Sequence, residues 1–398
     1  MSASLTVVDD RVACKECGFR SHSLLSHLQE AHSFSASDYL AKHPGAATVS
    51  QSLLKKYNTK GSRTTAPAPT DLSVNLMGID LPVDAAVAEG DCLMLPDGYM
   101  FPTQGKAKQI FIRAIMAMAR GRHCYIWGMP STGKDAIVHA FSAYTRKPVV
   151  MVTFRPGTDL APWFYTRSIS GGETGWDYGH LWNVLVNGVE GRDGKRRPAL
   201  VLLSDVDRAD AAQAEWFRIL TDSISGRILG PDGQMVPLLA GTQFVCTANS
   251  CGTGDARGRM TSSNPIDASI LDRLGRKIEA EYLDWEDESV VLRAKFPEVA
   301  QADATVLGDG TKNNKGQLGK ASQALREAIK NETLYAEFTH RALCDIMMEC
   351  EDVMWANPGN TPGNLLKLGF RAWLDGLDGD SRLEANRLID AHLLGGAI

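Results

Sequence analysis

Eight consecutive residues constrain this chain more than any others: Gly128-Met129-Pro130-Ser131-Thr132-Gly133-Lys134-Asp135. An apolar run, His123–Trp127, precedes them, and a segment with helical apolar spacing follows. The pattern GxxxxGK between a strand and a helix reads as a phosphate-binding loop. Its glycines let the backbone fold tightly, so that successive N–H groups point at phosphate oxygens. The following helix adds the positive end of its dipole. Gly128, Pro130, Ser131, Thr132, Gly133, Lys134 and Asp135 are therefore the candidate ATP-binding residues, with Lys134 reaching the β and γ phosphates. The position after the lysine ordinarily holds Ser or Thr, whose hydroxyl binds Mg²⁺. Here it holds Asp135.

A loop of this kind requires strands and helices in alternation, and the sequence supplies them. Gly105–Arg120 has apolar residues at 107, 110, 111, 114, 115, 118 and 119, which is helical spacing. Buried strands are expected at Val149–Thr153, Ala199–Leu203 and Gln243–Thr247. The expected fold class is α/β, a parallel sheet flanked by helices. From about residue 286 the pattern turns helical, with a Gly/Asn/Lys-rich loop expected at 308–319. Residues 58–70, NTKGSRTTAPAPT, lack apolar periodicity and read as linker. The expected organisation is a head over 1–45, a linker over 46–72, a nucleotide-binding domain over 73–285 and a helical lid over 286–398. No stretch approaches the roughly 18 uninterrupted apolar residues of a membrane span. The first 20 residues lack a basic start followed by an apolar core. A cytoplasmic protein with no membrane partner is expected.

The second half of a nucleotide site is expected where the strand Ala199–Leu203 runs into Ser204-Asp205-Val206-Asp207-Arg208-Ala209. ATPases of this kind place a metal-binding Asp and then a catalytic Glu there. Two alignments are open. If Asp205 is the metal residue, Val206 replaces the base and hydrolysis fails. If the pair is Ser204-Asp205, then Asp205 stands at the base position and Ser204 at the metal position. The second is preferred, because Val206-Asp207-Arg208-Ala209 continues as relatives do. The phosphate loop then has a carboxylate where a hydroxyl is expected, and the strand has the reverse. Asp135 and Ser204 together supply Mg²⁺ with the usual oxygen ligands in exchanged places. The rival reading is two independent losses, leaving a hydrolysis-poor nucleotide-binding scaffold that tethers DNA or protein.

Further stretches carry a resemblance. Phe244-Val-Cys-Thr-Ala-Asn249 resembles sensor 1 of AAA+ ATPases, where Asn249 would hold the attacking water or the γ-phosphate. Leu271-Asp-Arg273-Leu resembles the segment bearing a trans-acting arginine, with Arg257 and Arg259 as rivals to Arg273. Phe338-Thr-His-Arg341-Ala-Leu resembles sensor 2, with Arg341 reaching the nucleotide. From about Ser73 to the end the chain resembles the MoxR-type AAA+ ATPases. Within them it is most similar to the AAA+ subunit of cobaltochelatase, the CobS type. The stretches Gly78-Ile-Asp, Leu95-Pro-Asp-Gly-Tyr-Met-Phe, Val245-Cys-Thr-Ala-Asn-Ser-Cys-Gly-Thr-Gly-Asp255, Tyr282-Leu and Gly369-Phe-Arg carry it. The Asp135/Ser204 exchange and the head depart from that family. The resemblance implies an ATP-hydrolysing ring, usually a hexamer, and remodelling of a protein client. It also implies a partner with a von Willebrand A domain. The alternative it implies is the ATPase subunit of a cobalt chelatase in cobalamin synthesis. Trp163-Phe164-Tyr165 is expected in a loop, where it either grips a protein client or packs in the core. Gly226–Pro237 reads as a hairpin around Pro231-Asp-Gly233.

The head contains Cys14-x2-Cys17-x9-His27-x4-His32, four ligands at zinc spacing. The other six cysteines are scattered and read mostly as small buried hydrophobes. The run resembles the Ros/MucR type of finger, including a segment from Ser35 to Tyr39. Zn²⁺ would supply much of the folding energy of so small a unit. The whole chain has net charge -5, with 42 basic and 47 acidic residues. No Lys or Arg lies between Ser21 and His32. Phosphate contacts carry much of the affinity for DNA, so docking to a protein is preferred over nucleic acid.

Overall fold

The computed structural model describes residues 12–21, 24–32, 39, 42–44, 46–47, 72–96, 99–157, 159–170, 173–254, 263–357 and 364–393. Most of the expected linker, together with Arg257, Arg259, Asp255 and Ser35, lies outside the described residues. The chain divides into two compact units, Met1–Ala68 and Pro69–Ile398.

In the first unit, β1 (Val12–Ala13) pairs antiparallel with β2 (Arg20–Ser21), and α1 (Leu25–His32) follows. Cys14, Leu24, Leu28 and Tyr39 form its buried cluster. The Tyr39 hydroxyl accepts the N–H of Lys15 at 2.8 Å, so the aromatic ring fills the core with its polar end satisfied.

The second unit opens with the hairpin β3 (Ser73–Leu76) and β4 (Ile79–Pro82), then α2 (Gly105–Ala119). Next come β5 (Cys124–Trp127), α3 (Lys134–Thr145) and β6 (Val149–Thr153). A short α4 (Ala161–Phe164) leads to the hairpin β7 (Tyr165–Ser170) and β8 (Glu173–Tyr178), then to α5 (His180–Asn187). The pair β9 (Val189–Glu190) and β10 (Arg196–Arg197) precedes β11 (Leu200–Ser204) and α6 (Ala211–Asp222). The hairpin β12 (Arg227–Leu229) and β13 (Met235–Pro237) precedes β14 (Gln243–Ala248), α7 (Ala268–Arg273) and β15 (Arg276–Glu279). The expected hairpin over 226–237 is thus present, with Val236 paired to Ile228.

One five-stranded parallel sheet organises this unit, in the order β15-β5-β14-β11-β6. Every residue of β11 and of β14 is buried. That explains their apolar centres, Leu200–Leu203 and Phe244–Cys246, since both faces of a parallel sheet are covered. On one face α2 buries Ile110, Phe111, Ala114, Ile115 and Met118, the stripe that its spacing announced. The fold class is therefore the α/β arrangement expected, a parallel sheet flanked by helices.

Trp163, Phe164 and Tyr165 depart from the loop expectation. They span the end of α4 and the start of β7. Phe164 is buried and stacks on Trp216 at 4.4 Å between ring centroids, and Tyr165 packs edge-on against Trp182. The packing reading holds, because large aromatic surfaces are stabilised most when withdrawn from water.

The C-terminal region is helical: α8 (Trp285–Lys295), α9 (Pro297–Ala302), α10 (Ala304–Leu307), α11 (Gly316–Lys330), α12 (His340–Ala356), α13 (Leu365–Gly369), α14 (Arg371–Leu374) and α15 (Gly379–His392). They enclose a separate core that includes Leu292, Leu325, Leu343, Ile346 and Phe370. The loop expected to reach 319 ends at Lys315. Gly319 lies inside α11, where an added Cβ would meet Trp285 Cε2 at 2.4 Å. That glycine serves helix packing rather than a turn. Asp287 of α8 fastens this region to the chain before α2, accepting the Thr103 hydroxyl at 2.5 Å and the Thr103 N–H at 2.8 Å. No helix among the described residues is long and apolar enough to cross a membrane.

Candidate functional site

Parallel strands end on one side of the sheet, and that is where such folds gather ligands. β5 runs there into residues 128–133, β11 ends at Ser204 and β14 ends at Ala248. The register pairs Leu203 with Cys246 and Thr247 with Ile126, which sets these ends level.

The phosphate loop needs its glycines. Gly128 has φ +157°, and a Cβ there would lie 2.3 Å from the Ala280 carbonyl oxygen. Gly133 has φ +78° and precedes the first turn of α3. Ser131 also adopts a left-handed φ of +63°, and its hydroxyl is buried without a hydrogen-bond partner among the described residues. An orphaned polar group of this kind is costly unless a ligand meets it. A polyanion resting on the loop fits that position.

Lys134 is nearly buried. Its Nζ donates to the carbonyls of Gly128 at 2.8 Å and Met129 at 3.0 Å, and to Asn249 Oδ1 at 3.1 Å. Burial pushes its pKa down, opposed by the charges of Asp135, Asp205 and Asp207. The expected loop lysine and sensor asparagine are thus in direct contact, although 115 positions separate them.

Asp135 sits in the first turn of α3. Ser204 Oγ donates to its Oδ2 at 2.9 Å, and Thr247 Oγ1 donates to its Oδ1 at 2.6 Å. The two hydroxyls are 3.4 Å apart. One carboxylate and two hydroxyls are hard oxygen donors of the kind that suits Mg²⁺. Sequence reading paired Asp135 with Ser204 and missed Thr247. The only available signal was its place two residues before Asn249.

Asp205 follows Ser204 in a left-handed conformation, φ +55°. Burial pushes its carboxyl above the usual carboxylate range. Arg208, at 3.6 Å, opposes that rise, while Asp135 and Asp207 add to it. Asp207, not singled out beforehand, is fully buried. Its Oδ2 accepts the N–H groups of Asn249 at 3.0 Å and Ser250 at 3.1 Å, and the Ser263 hydroxyl at 2.7 Å.

The two candidate arginines stand apart from this cluster. Arg273, at the end of α7, donates to the Ser269 carbonyl at 2.8 Å and pairs with Asp222 at 2.9 Å. Arg341 is exposed in the first turn of α12. Its neighbour His340 turns inward, 3.0 Å from Glu288.

In the other unit Cys14, Cys17, His27 and His32 converge, with all four ligand atoms within 4.8 Å of one another. Cys17 Sγ lies 3.1 Å from His27 Nε2 and 3.4 Å from His32 Nε2, and Cys14 Sγ lies 3.6 Å from His32 Nε2. Tetrahedral Zn²⁺ with bonds of about 2.0–2.3 Å spaces its ligands by similar distances. The donor set and the spacing both fit zinc.

No family model and no curated protein matches the chain. Among solved structures it is similar to NtrX from Brucella abortus, at 16% identity over 65% of this chain and 53% of that one, with TM-score 0.39. It is similar to the same protein in complex with ADP, at 13% identity over 75% of this chain and 65% of that one, with TM-score 0.43. It is also similar to the Thermotoga maritima RuvB Holliday junction branch migration motor, at 12% identity over 71% and 72%, with TM-score 0.40. The chain thus spans about half to two thirds of the two NtrX chains.

Proposed function

We propose that this chain is a Mg²⁺-dependent ATPase of the AAA+ type. In this reading it is a remodelling motor of the CobS/MoxR kind that works as a ring, a hexamer by resemblance. One observation carries the reading: Asp135, at the mouth of the phosphate loop, is clasped by hydroxyls from the ends of two sheet strands, Ser204 and Thr247. In this reading Lys134 and Asn249 hold the γ-phosphate, while Asp205 orients the attacking water. Asp135, Ser204 and Thr247 would hold Mg²⁺, which would supply charge neutralisation at the phosphoryl oxygens. Arg273 serves the neighbouring subunit's nucleotide, and Arg341 serves its own. The client is a protein, and the partner carries a von Willebrand A domain.

The exchange of hydroxyl and carboxylate gives a direct test. Asp135→Ser alone leaves the metal without its carboxylate, and Ser204→Asp alone adds a second buried charge beside Asp135. Each is expected to lower ATP turnover by about 10- to 100-fold or more. The double exchange restores one carboxylate and is expected to recover most of the loss. Phosphate release with and without Mg²⁺ measures it. A double variant no better than either single one would sink the shared metal site.

The head is read as a zinc-bound docking unit for a protein. Its support is the converged Cys₂His₂ set and a ligand helix without Lys or Arg. Structural zinc contributes about 10–16 kcal/mol to the folding of such units near neutral pH. Purified full-length protein is expected to carry zinc that Cys17→Ser and His27→Ala each abolish. Metal analysis of the three proteins checks this, and equal zinc in all of them would refute it.

A further inference from the structure

Asp207 is used by none of the chemistry above, yet it is the most heavily engaged buried carboxylate beside the site. It follows β11, in the turn Val206–Arg208. Its Oδ2 gathers three donors from segments 42 to 56 positions away: the N–H groups of Asn249 and Ser250 and the Ser263 hydroxyl. Its own carbonyl accepts the Asn264 N–H at 2.6 Å, and the Ala209 carbonyl accepts the Asn264 side-chain amide at 2.8 Å. Asn249 in turn receives Lys134 Nζ at 3.1 Å. On the far side, residues 263–267 lead directly into α7, whose first turn is capped by Asp267 and whose last residue is Arg273. The N–H of Ile266 donates to the Gly252 carbonyl at 2.9 Å, so this segment and the loop after Asn249 are joined again. Hydrogen bonds thus link the loop lysine to residues 263–266, and the backbone runs on from there into the helix bearing the candidate arginine.

We propose that Asp207 is a positioning residue that couples nucleotide contact at Lys134 and Asn249 to the placement of α7 and Arg273. This rests on the ATPase reading of the same site. A ligand oxygen that draws Lys134 or Asn249 toward the phosphate loop moves the backbone at 249–250. The shared carboxylate passes that displacement to Ser263 and Asn264. The geometry is set at one oxygen, where two backbone N–H groups and one hydroxyl converge. The other oxygen, Oδ1, is buried without a partner among the described residues. Asparagine keeps an accepting oxygen but sets an amide NH2 at the unpartnered position, whereas alanine removes the junction.

The test uses the full-length chain with a non-hydrolysable ATP analogue and Mg²⁺, read by amide hydrogen exchange and by ATP turnover. In the wild type, the analogue is expected to slow exchange at residues 128–137 and also at 263–273. Ser263→Ala removes one donor, leaves the phosphate loop untouched, and spares the fold if Asp207 variants prove unstable. It is expected to keep the slowing at 128–137 and lose most of it at 263–273. Its kcat should fall about tenfold, with KM for ATP changed far less. Asp207→Asn is expected to keep more of the slowing at 263–273 than Asp207→Ala, which should behave like Ser263→Ala or worse. Unchanged slowing at 263–273 in Ser263→Ala overturns the coupling and leaves the ATPase reading standing. So does an Asp207→Asn that matches Asp207→Ala. No slowing at 128–137 in the wild type overturns the nucleotide reading, and the coupling with it.

Discussion

Replacing Lys134 with alanine is expected to lower ATP turnover by about 100- to 1,000-fold, the loss seen when one preorganised donor to a developing negative charge is removed. The physical case is the environment of the ammonium group. Burial disfavours its charge, and the three acceptors around it come from the loop backbone and Asn249. A cation held this way meets a phosphate oxygen with little water to displace, so its Coulomb contribution is large. The fold should tolerate the change, because the side chain lies at the ligand edge of the sheet and not in either apolar core. The expected pattern is therefore lost phosphate release with a nearly unchanged melting temperature. Arginine should not rescue it, since a planar guanidinium cannot reproduce a compact point charge in the same space. A Lys134→Ala protein that keeps more than a tenth of wild-type turnover would remove Lys134 from the nucleotide site.

Replacing Glu288 with alanine is expected to destabilise the helical region by about 3–5 kcal/mol, the cost of leaving buried cationic partners unpaired. Glu288 in α8 is buried, and Arg326 of α11 grips it with two bonds, at 2.8 and 2.9 Å. The same guanidinium lies 4.4 Å from the ring centroid of Tyr282, just beyond β15. His340 of α12 supplies a third bond at 3.0 Å. One carboxylate therefore ties three helices together at the exit from the sheet. Burial alone would lower the His340 pKa, but hydrogen bonds to Cys344 and Glu288, with the charge of Glu288, raise it to about 9. Burial would likewise raise the Glu288 carboxyl, but Arg326 and His340 hold it below the usual range.

The signs set a pH window. A histidine raised from about 6.5 in the unfolded chain to about 9 stabilises the fold fully below pH 6.5. That contribution fades as pH rises from 6.5 to about 9. The depressed glutamate contributes above about pH 4.5 and loses its contribution below that value. Thermal unfolding of the full chain should therefore show its highest melting temperature between about pH 5 and 6.5. His340→Gln should abolish the decline on the alkaline side. An alkaline decline that survives His340→Gln would assign it to other groups.

Local pattern and tertiary structure divided the work at identifiable residues. The phosphate loop, the strands and the helix α2 were legible because each is written in a short stretch. Glycines permit a tight turn, and both-sided burial demands an unbroken apolar run. A helix shows its buried face every three or four positions. The converging Cys and His side chains were legible for the same reason, since all four lie within 19 residues, from Cys14 to His32. Ser204 and Asp135 were matched across 69 positions only because the chemistry of one Mg²⁺ implied a trade between them. No local pattern could show that Thr247 closes the clasp, that Asp207 binds three segments, or that Glu288 joins three helices. Nor could it show that Gly319 makes room for Trp285 or that Phe164 stacks on Trp216. Those pairings depend on which strands lie side by side and in what register. That is decided by the packing of whole elements, and the same residue type reads alike in sequence whether its partner is water, a metal or a distant backbone amide. The sequence by itself determined the glycine turn between β5 and α3 and which residue types surround it. Only the tertiary structure decided which distant side chains share one oxygen, because a hydrogen bond forms over about 3 Å of space and not over any interval of chain.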